Sequence, residues 1–190
     1  MHEPLIDGAI RKLWIGEADS YRDHLLRLDP ESRRNRFGGT VSAEFIGKHV
    51  DALLHADAIV HGFFVDGTLR GAAELRPLGT VRPREAEAAF SIERPWQSLG
   101  VGSALLARTL LAARNRGLKH LHMSCLADNR RMQQLAIKFD AELTFDFGSV
   151  VGEVAASHPT PLSIMRELVT DGHDVTAALL EVQSRLLRPA

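Results

Sequence analysis

The apolar positions in the first third of the chain recur with the period of a helix. Tyr21, Leu25 and Leu28 are spaced to share one face, and Asp19 suits the N-terminal cap of a helix that ends near Leu28. A second helix is predicted from Ser42, and its apolar stripe is formed by Ile46, Val50, Leu53 and Leu54. Between them, 29–37 is expected to be a helical turn that ends at Gly38–Gly39, so three helical segments are expected before the first long strand.

The middle of the chain alternates between apolar and polar positions as strands do. Strands are predicted over 58–65, 68–75 and 85–92, and Asp66–Gly67 between the first two is typical of a tight hairpin turn. Strands with short connections pair as an antiparallel meander. The proline- and glycine-containing segment 76–84 is expected to be the loop before the third strand.

A helical period returns after residue 102 and ends at Gly117, and 118–125 then alternates as the next strand. This order of strand, helix and strand predicts one parallel βαβ crossover from about 86 to 125. Asp128–Asn129 opens a further helix, and two short strands follow it. The predicted fold class is α/β: a single domain with a mixed, mainly antiparallel sheet flanked by helices.

The end of the chain predicts another amphipathic helix, over 174–187. Its apolar stripe consists of Val175, Ala178, Leu179, Val182 and Leu186. Such a stripe needs burial, either against the domain or against a second copy of the chain. We therefore assign 1–170 to one domain and 171–190 to a C-terminal helix that packs on this domain or forms a homodimer contact.

Composition narrows the classes of function. The 23 Lys and Arg residues balance the 24 Asp and Glu residues, which argues against a nucleic-acid-binding protein. Cys125 is the single cysteine, so an intrachain disulfide is excluded and a reducing compartment fits. The sequence has no apolar run of the roughly 20 residues that span a bilayer, and its first residues lack a signal-peptide pattern. We expect a cytoplasmic protein with no membrane or nucleic-acid partner.

The six residues from Gln97 to Gly102 carry the strongest functional signal. They read Gln-Ser-Leu-Gly-Val-Gly and lie between a predicted strand and a predicted helix. Glycines let the backbone approach a ligand closely, and the N–H groups and partial positive charge of a helix N-terminus favour an anion. The segment predicts a binding site for a pyrophosphate.

With its surroundings, this segment resembles the acetyl-CoA site of the GNAT superfamily of N-acetyltransferases. The resemblance runs from about Glu85 to Phe139 and includes Ala89-Phe90, the glycine turn and Asp128-Asn129. It implies that acetyl-CoA is the cosubstrate, that the turn binds its pyrophosphate and that the preceding strand pairs with its pantetheine arm. The implied cofactor-binding residues are Phe90, Ser91, Ile92, Gln97, Ser98, Leu99, Gly100, Val101, Gly102, Ser103 and Asn129.

The segment Arg33-Arg-Asn-Arg-Phe37 resembles a short motif of bacterial protein lysine acetyltransferases within this superfamily. The cluster Arg33, Arg34 and Arg36 predicts either a surface that steers an acidic substrate or the CoA phosphates, or a solvated helical face. We favour the solvated face. The motif leaves the acceptor open between a small-molecule amine and a protein amine.

Acetyl transfer to an amine requires a base, because the pKa of a free lysine amine is about 10.4. Glu87, on the strand that enters the glycine turn, is the candidate base, and its other interpretation is a solvated glutamate on an amphipathic strand. Glu74 and Glu93 are rival candidates. The resemblance also implies a tyrosine as general acid directly after Leu135, where this chain has Ala136.

No metal site is expected, since His120 and His122 have no further ligands nearby in the sequence and favour packing. We expect an N-acetyltransferase in which a primary amine attacks acetyl-CoA directly, without a covalent enzyme intermediate. The alternative is a non-catalytic acyl-CoA-binding or sensing module, which Ala136 favours. A Rossmann-type protein is disfavoured because Leu105 stands at the third glycine of that fingerprint.

Overall fold

The computed structural model describes residues 8–55, 57–79, 84–156 and 159–171. Seven strands form one sheet: β1 (Ala9–Lys12), β2 (Ile59–Val65), β3 (Thr68–Leu78), β4 (Glu85–Ile92), β5 (His120–Leu126), β6 (Glu142–Asp146) and β7 (Ser149–Ala155). The helices are α1 (Ala18–Arg27), α2 (Pro30–Phe37), α3 (Ala43–His55), α4 (Val101–Asn115), α5 (Arg130–Lys138) and α6 (161–171). Within these ranges, no helix has the length and apolar character needed to cross a membrane.

The strands lie in the order β1-β2-β3-β4-β5-β7-β6. All neighbouring strands are antiparallel except β4 and β5, which run parallel and are joined through α4. Asp66 and Gly67 both have positive φ (47° and 68°), which is the geometry of a two-residue hairpin turn between β2 and β3. The predicted fold class, with its meander and its single crossover, is confirmed.

The sheet is covered by helices on both faces. Consecutive strand residues point to opposite faces, and Ala72 and Ala73 of β3 mark the two sides. Ala72 packs in a core with Leu25 of α1 and Val50 of α3, while Ala73 packs with Leu105 of α4. Because α1 and α2 lie on the face opposite α4, helices flank the junction of β4 and β5 on both faces of the sheet.

Two local predictions differ from the structure. Asp19 lies in the first turn of α1 rather than at its cap, since a 3-10 helix over Ile15–Glu17 leads directly into α1 and Glu17 takes the cap position. Strand β3 runs through Pro77, which pairs with Ala86, so the loop begins later than expected.

The C-terminal prediction over 174–187 lies outside the described residues. Helix α6 was not predicted. It contacts the end of α4, where Asn115 Nδ2 donates a hydrogen bond to the carbonyl oxygen of Ser163 (3.0 Å) and Arg116 pairs with Glu167 (2.9 Å).

Candidate active site

Strands β4 and β5 separate at the centre of the sheet. They pair only over three positions, which end at Glu87 opposite His122. Beyond this point β4 continues to Ile92 and β5 continues to Leu126 without pairing to each other, while the other edge of β5 pairs with β7 along its whole length. The main chain of β4 over 88–92 therefore has an open edge toward β5, which suits an extended ligand that adds to the sheet as a strand does.

The glycine turn follows this open edge and leads into α4. Gly100 is the N-cap and has a φ of 88°, in the left-handed region that glycine adopts without a steric penalty. The first hydrogen bond of α4 runs from the N–H of Ala104 to the carbonyl oxygen of Gly100 (3.0 Å). The N–H groups of Val101, Gly102 and Ser103 precede this bond and have no acceptor within the helix, so they are donors for an anion.

Gln97 fixes the path of the chain between β4 and the turn. Its Nε2 donates hydrogen bonds to the carbonyl oxygen of Ile92 (2.8 Å) and to the hydroxyl of Ser32 in α2 (2.9 Å). One side chain thereby joins the strand, the turn and α2. Gln97 of the sequence motif therefore has a structural role of its own, since its side chain holds the turn in place.

A cavity of about 420 Å³ lies between the open edge of β4, the glycine turn, α2 and α5. Nine of the eleven predicted cofactor-binding residues line it: Phe90, Ser91, Ile92, Gln97, Ser98, Gly100, Gly102, Ser103 and Asn129. Leu99 and Val101 do not line it. Leu99 is partly exposed, and Val101 packs in the core with Phe63 and Leu105.

The cavity is also lined by residues outside the predicted cofactor-binding set. Lys138 of α5 donates a hydrogen bond from Nζ to the hydroxyl of Ser103 (3.0 Å), which brings a cation to the glycine turn. The other lining residues outside the predicted cofactor-binding set are Ser32, Asn35, Arg36, Arg131, Met132, Gln134 and Leu135, of which the sequence analysis named only Arg36 as a candidate, in the arginine cluster. Ser32, Asn35 and Arg36 are spaced i, i+3 and i+4, so their shared helical face was the signal in the sequence.

The model of the acetyltransferase (GNAT) family matches residues 23–140, which include the glycine turn, α4 and α5. This chain belongs to the GNAT family. No curated protein sequence matches it significantly. The family is an acetyltransferase family, and the predicted membership of the GNAT superfamily is confirmed.

Solved structures of GNAT proteins share the fold at low sequence identity. The GNAT domain of S. lividans PAT is 23% identical, with a TM-score of 0.69 over 78% of this chain and 90% of that one. A GNAT acetyltransferase from Streptococcus pneumoniae is 16% identical, with a TM-score of 0.63 over 79% and 99%. The Salmonella typhimurium protein yncA, a putative acetyltransferase solved with acetyl-CoA, is 16% identical, with a TM-score of 0.60 over 82% and 98%.

Glu87 lies at the last paired position of β4, where the GNAT sheet opens. Its carboxylate accepts a hydrogen bond from Arg76 of β3 (2.5 Å), and its side chain is 31% exposed. It does not line the cavity, but it points to the same face of the sheet as Ser91, which does. Glu87 thus stands next to the inner end of the opening, on the side of α1 and α2.

Glu74 is buried on this face, and its Oε1 atom accepts hydrogen bonds from Tyr21, Arg36 and His49. Burial would raise its pKa, but Arg36 and the other donors outweigh burial and lower it to about 2. A carboxylate that stays ionised to this pH accepts a proton poorly at neutral pH, so the geometry argues against Glu74 as the base.

Glu93 is also held in a network. It accepts hydrogen bonds from Arg27 and Arg70, both at 3.0 Å, and lies 3.3 Å from Nδ1 of His24. The Nε2 atom of His24 lies 2.9 Å from the hydroxyl of Ser91, and burial lowers the pKa of this histidine. The network ties β4 to α1, and Glu93 is bound in it rather than presented to the cavity.

The solvated interpretation of the arginine cluster is wrong for two of its three members. Arg33 donates to the carbonyl oxygen of Leu28 (3.4 Å), and Arg36 is buried against Glu74. Arg34 alone has a half-exposed side chain, paired with Asp128. These two arginines are not solvated because α2 packs on the sheet beside the cavity.

The remaining candidates take structural positions. Ala136 is buried in the core and does not line the cavity. Its Cβ lies so near Gly152 of β7 that a Cβ added to this glycine would be 3.2 Å away. Cys125 is buried, and burial raises its pKa. His120 pairs with Glu153 (2.6 Å), and the described residues contain no group of three or more His, Cys, Asp or Glu side chains placed to hold a metal ion.

Proposed function

We propose that this protein transfers an acetyl group from acetyl-CoA to a primary amine. The observation that carries the proposal is the continuous surface formed by the N–H groups at the start of α4 and the open edge of β4. The first element suits a pyrophosphate, and the second suits the amide-containing arm attached to it. A cavity of about 420 Å³ joins them.

The residues fit the two ends of this cosubstrate. At the outer end, Gly102 leaves the backbone of α4 bare, and Lys138 adds a positive charge beside Ser103. At the inner end, the main chain of Phe90 to Ile92 borders the cavity. We assign the pyrophosphate to residues 98–103, the arm to 90–92, and a supporting contact to Asn129, whose Oδ1 atom also caps α5.

Glu87 is the proposed base. It lies directly before the open stretch of β4, and its side chain is 31% exposed, so an amine or a water molecule can reach the carboxylate. It takes a proton from the attacking amine, directly or through water, as the nitrogen bonds to the thioester carbon. The C–S bond then breaks, and both products leave without an acyl group on the protein.

An assay of acetyl transfer tests this function. The protein is incubated with acetyl-CoA and, separately, with L-lysine, spermidine and a lysine-containing peptide, and CoA release and acetylated product are both measured. We expect product with at least one of these amines, and a fall of about a hundredfold in kcat for Glu87→Gln. Arg76→Gln is the matched control, since it removes the partner of Glu87 and keeps the carboxylate.

Two outcomes contradict the proposal. Full activity of Glu87→Gln would remove this residue as the base. Tight binding of acetyl-CoA with no turnover on any amine would favour the alternative function, a non-catalytic acyl-CoA-binding or sensing module.

A further inference from the structure

Arg36 forms an oriented ion pair at the wall of the cavity. Arg36 lines the cavity, and its Nη2 donates to Oε1 of Glu74, which lies on β3 and does not line the cavity. Both side chains are buried, at 8% and 3% exposure. The positive end of the pair therefore faces the cavity, and its negative end faces the sheet.

Three other contacts hold this pair in place. Tyr21 and His49 donate to the same oxygen of Glu74, the latter at 2.9 Å, and the guanidinium lies 4.7 Å from the ring centre of Phe37. A charge fixed in this way does not need to reorganise when a neighbouring group becomes negative, which is the condition for effective electrostatic stabilisation.

The pair lies at the inner end of the open edge. Glu74 is opposite Ala89 in the register of β3 and β4, and β4 parts from β5 just before this position, at Glu87. The glycine turn, with Lys138 on Ser103, lies at the other end. An arm that runs along β4 from the turn toward Glu87 brings its sulfur to the level of Ala89, beside Arg36.

Thioester cleavage places a negative charge on that sulfur. Position 136 of α5 offers no hydroxyl to protonate the sulfur, because it is an alanine, and this residue is packed against β7 and is 2% exposed. A cation next to the sulfur lowers the free energy of the thiolate without a proton transfer. Arg36 is buried, charged and fixed at this level of the strand.

We propose that Arg36 stabilises the CoA thiolate as the thioester breaks; this inference rests on the proposed acetyl transfer. The amine lone pair forms the new N–C bond, the electrons of the C–S bond move to sulfur, and the proton of the amine goes to Glu87. The thiolate stays ionised beside the guanidinium until solvent protonates it. Glu74 is the positioning residue that aims Arg36.

The thiol pKa of protein-bound CoA tests this assignment without any acceptor. A Cys125→Ala background leaves CoA as the source of the thiolate absorbance, since the chain has one cysteine. Its single tyrosine, Tyr21, has a pKa raised by burial and by Glu74, which keeps phenolate absorbance out of the titration. We expect bound CoA to ionise at lower pH than free CoA.

The variants give the decisive comparison. Arg36→Gln should raise the pKa of the bound thiol by at least about one unit, a tenfold change in ionisation constant, while Arg36→Lys should retain most of the shift. Arg34→Gln, on the same helix and paired with Asp128, should leave it unchanged. CoA affinity and thermal unfolding are measured on each variant.

The experiment distinguishes a failure of the role of Arg36 from a failure of the proposed function. If bound and free CoA ionise at the same pH in the parent protein, the proposal is overturned even if Arg36→Gln does not fold. An unchanged thiol pKa in a folded Arg36→Gln variant that binds CoA and acetylates amines overturns the role of Arg36 alone. Absence of CoA binding by the folded parent protein would instead overturn the proposed function.

Discussion

The side-chain amide of Gln97 lies 2.8 Å from the carbonyl oxygen of Ile92, across the turn between β4 and α4. The same nitrogen also contacts Ser32 of α2. The turn that presents the N–H donors of α4 is therefore held by a side chain at its first position. Because these two hydrogen bonds fix the turn that presents the N–H donors, removing them should change the affinity for a ligand.

Gln97→Ala should weaken acetyl-CoA binding about tenfold, because two hydrogen bonds of about 1 kcal/mol each support the turn and part of this energy is recovered by water. Calorimetric titration gives the Kd. Leu99→Ala is the matched control, since it keeps the backbone of the turn, which is assigned to the pyrophosphate, and removes a side chain that does not line the cavity. An equal loss of affinity in both variants would contradict the special role of Gln97.

The two glycines of the turn should respond differently to alanine. Gly100 has a φ of 88°, so Gly100→Ala should lower the free energy of unfolding by about 1 kcal/mol. A Cβ on Gly102 would lie 3.4 Å from Ile92 and 3.5 Å from Leu135, which is ordinary contact, so Gly102→Ala should leave stability nearly unchanged. Its effect should be a weaker affinity for acetyl-CoA. Chemical denaturation and calorimetry separate the two quantities, and a reversed order would contradict this geometry.

Glu74 should stabilise the fold in a pH-dependent way. Its pKa falls from 4.5 to about 2 because the donors around it outweigh burial. A depressed carboxyl pKa contributes stability that is complete above about pH 4.5 and is lost as the pH falls toward 2. Glu74→Gln should cost about 3 kcal/mol at neutral pH and flatten the acid limb of the stability curve. Denaturant unfolding from neutral to acidic pH checks both, and an unchanged acid limb would contradict the assignment.

His61 should destabilise the fold in mild acid. Burial, with the nearby charges of Arg108, Arg116 and Lys12, lowers its pKa from 6.5 to about 3. Between about pH 6.5 and pH 3, this histidine is protonated in the unfolded chain but not in the folded protein. The free energy of unfolding therefore falls as the pH drops through this range.

His61→Leu should remove this loss, which amounts to about 2 kcal/mol between neutral pH and about pH 5. The measurement is the free energy of unfolding at these two pH values. His120→Leu, which changes a half-exposed histidine of the same sheet, is the control. If both variants keep the pH dependence of the parent protein, His61 is not its source.

Local patterns in the sequence were sufficient for most of the fold. Apolar spacing located α1 through its face Tyr21, Leu25 and Leu28, all of which are buried. Asp66–Gly67 located the hairpin, and the strand–glycine–helix order located the end of the cavity that the glycine turn forms. These features depend on neighbours in the sequence, which is why the sequence alone could reveal them.

The acceptor side could not be predicted, because it depends on contacts between distant segments. Arg36 is an ordinary cation of a polar helix in the sequence, and only its meeting with Glu74, 38 residues away, makes it buried and fixed. Glu93 was a rival base until the fold brought Arg27, Arg70 and His24 around it. Helical and strand periodicity contain no information about such pairs.

The central claim is that the start of α4 binds the pyrophosphate of acetyl-CoA. Calorimetric titration of the parent protein and of Gly102→Glu with acetyl-CoA tests it most directly, because the new carboxylate occupies the region of the N–H donors. We predict micromolar binding by the parent protein and at least about a hundredfold weaker binding by the variant, since a like charge and a side chain then oppose the anion. Equal affinity of two folded proteins, or no binding by the parent protein, would contradict it.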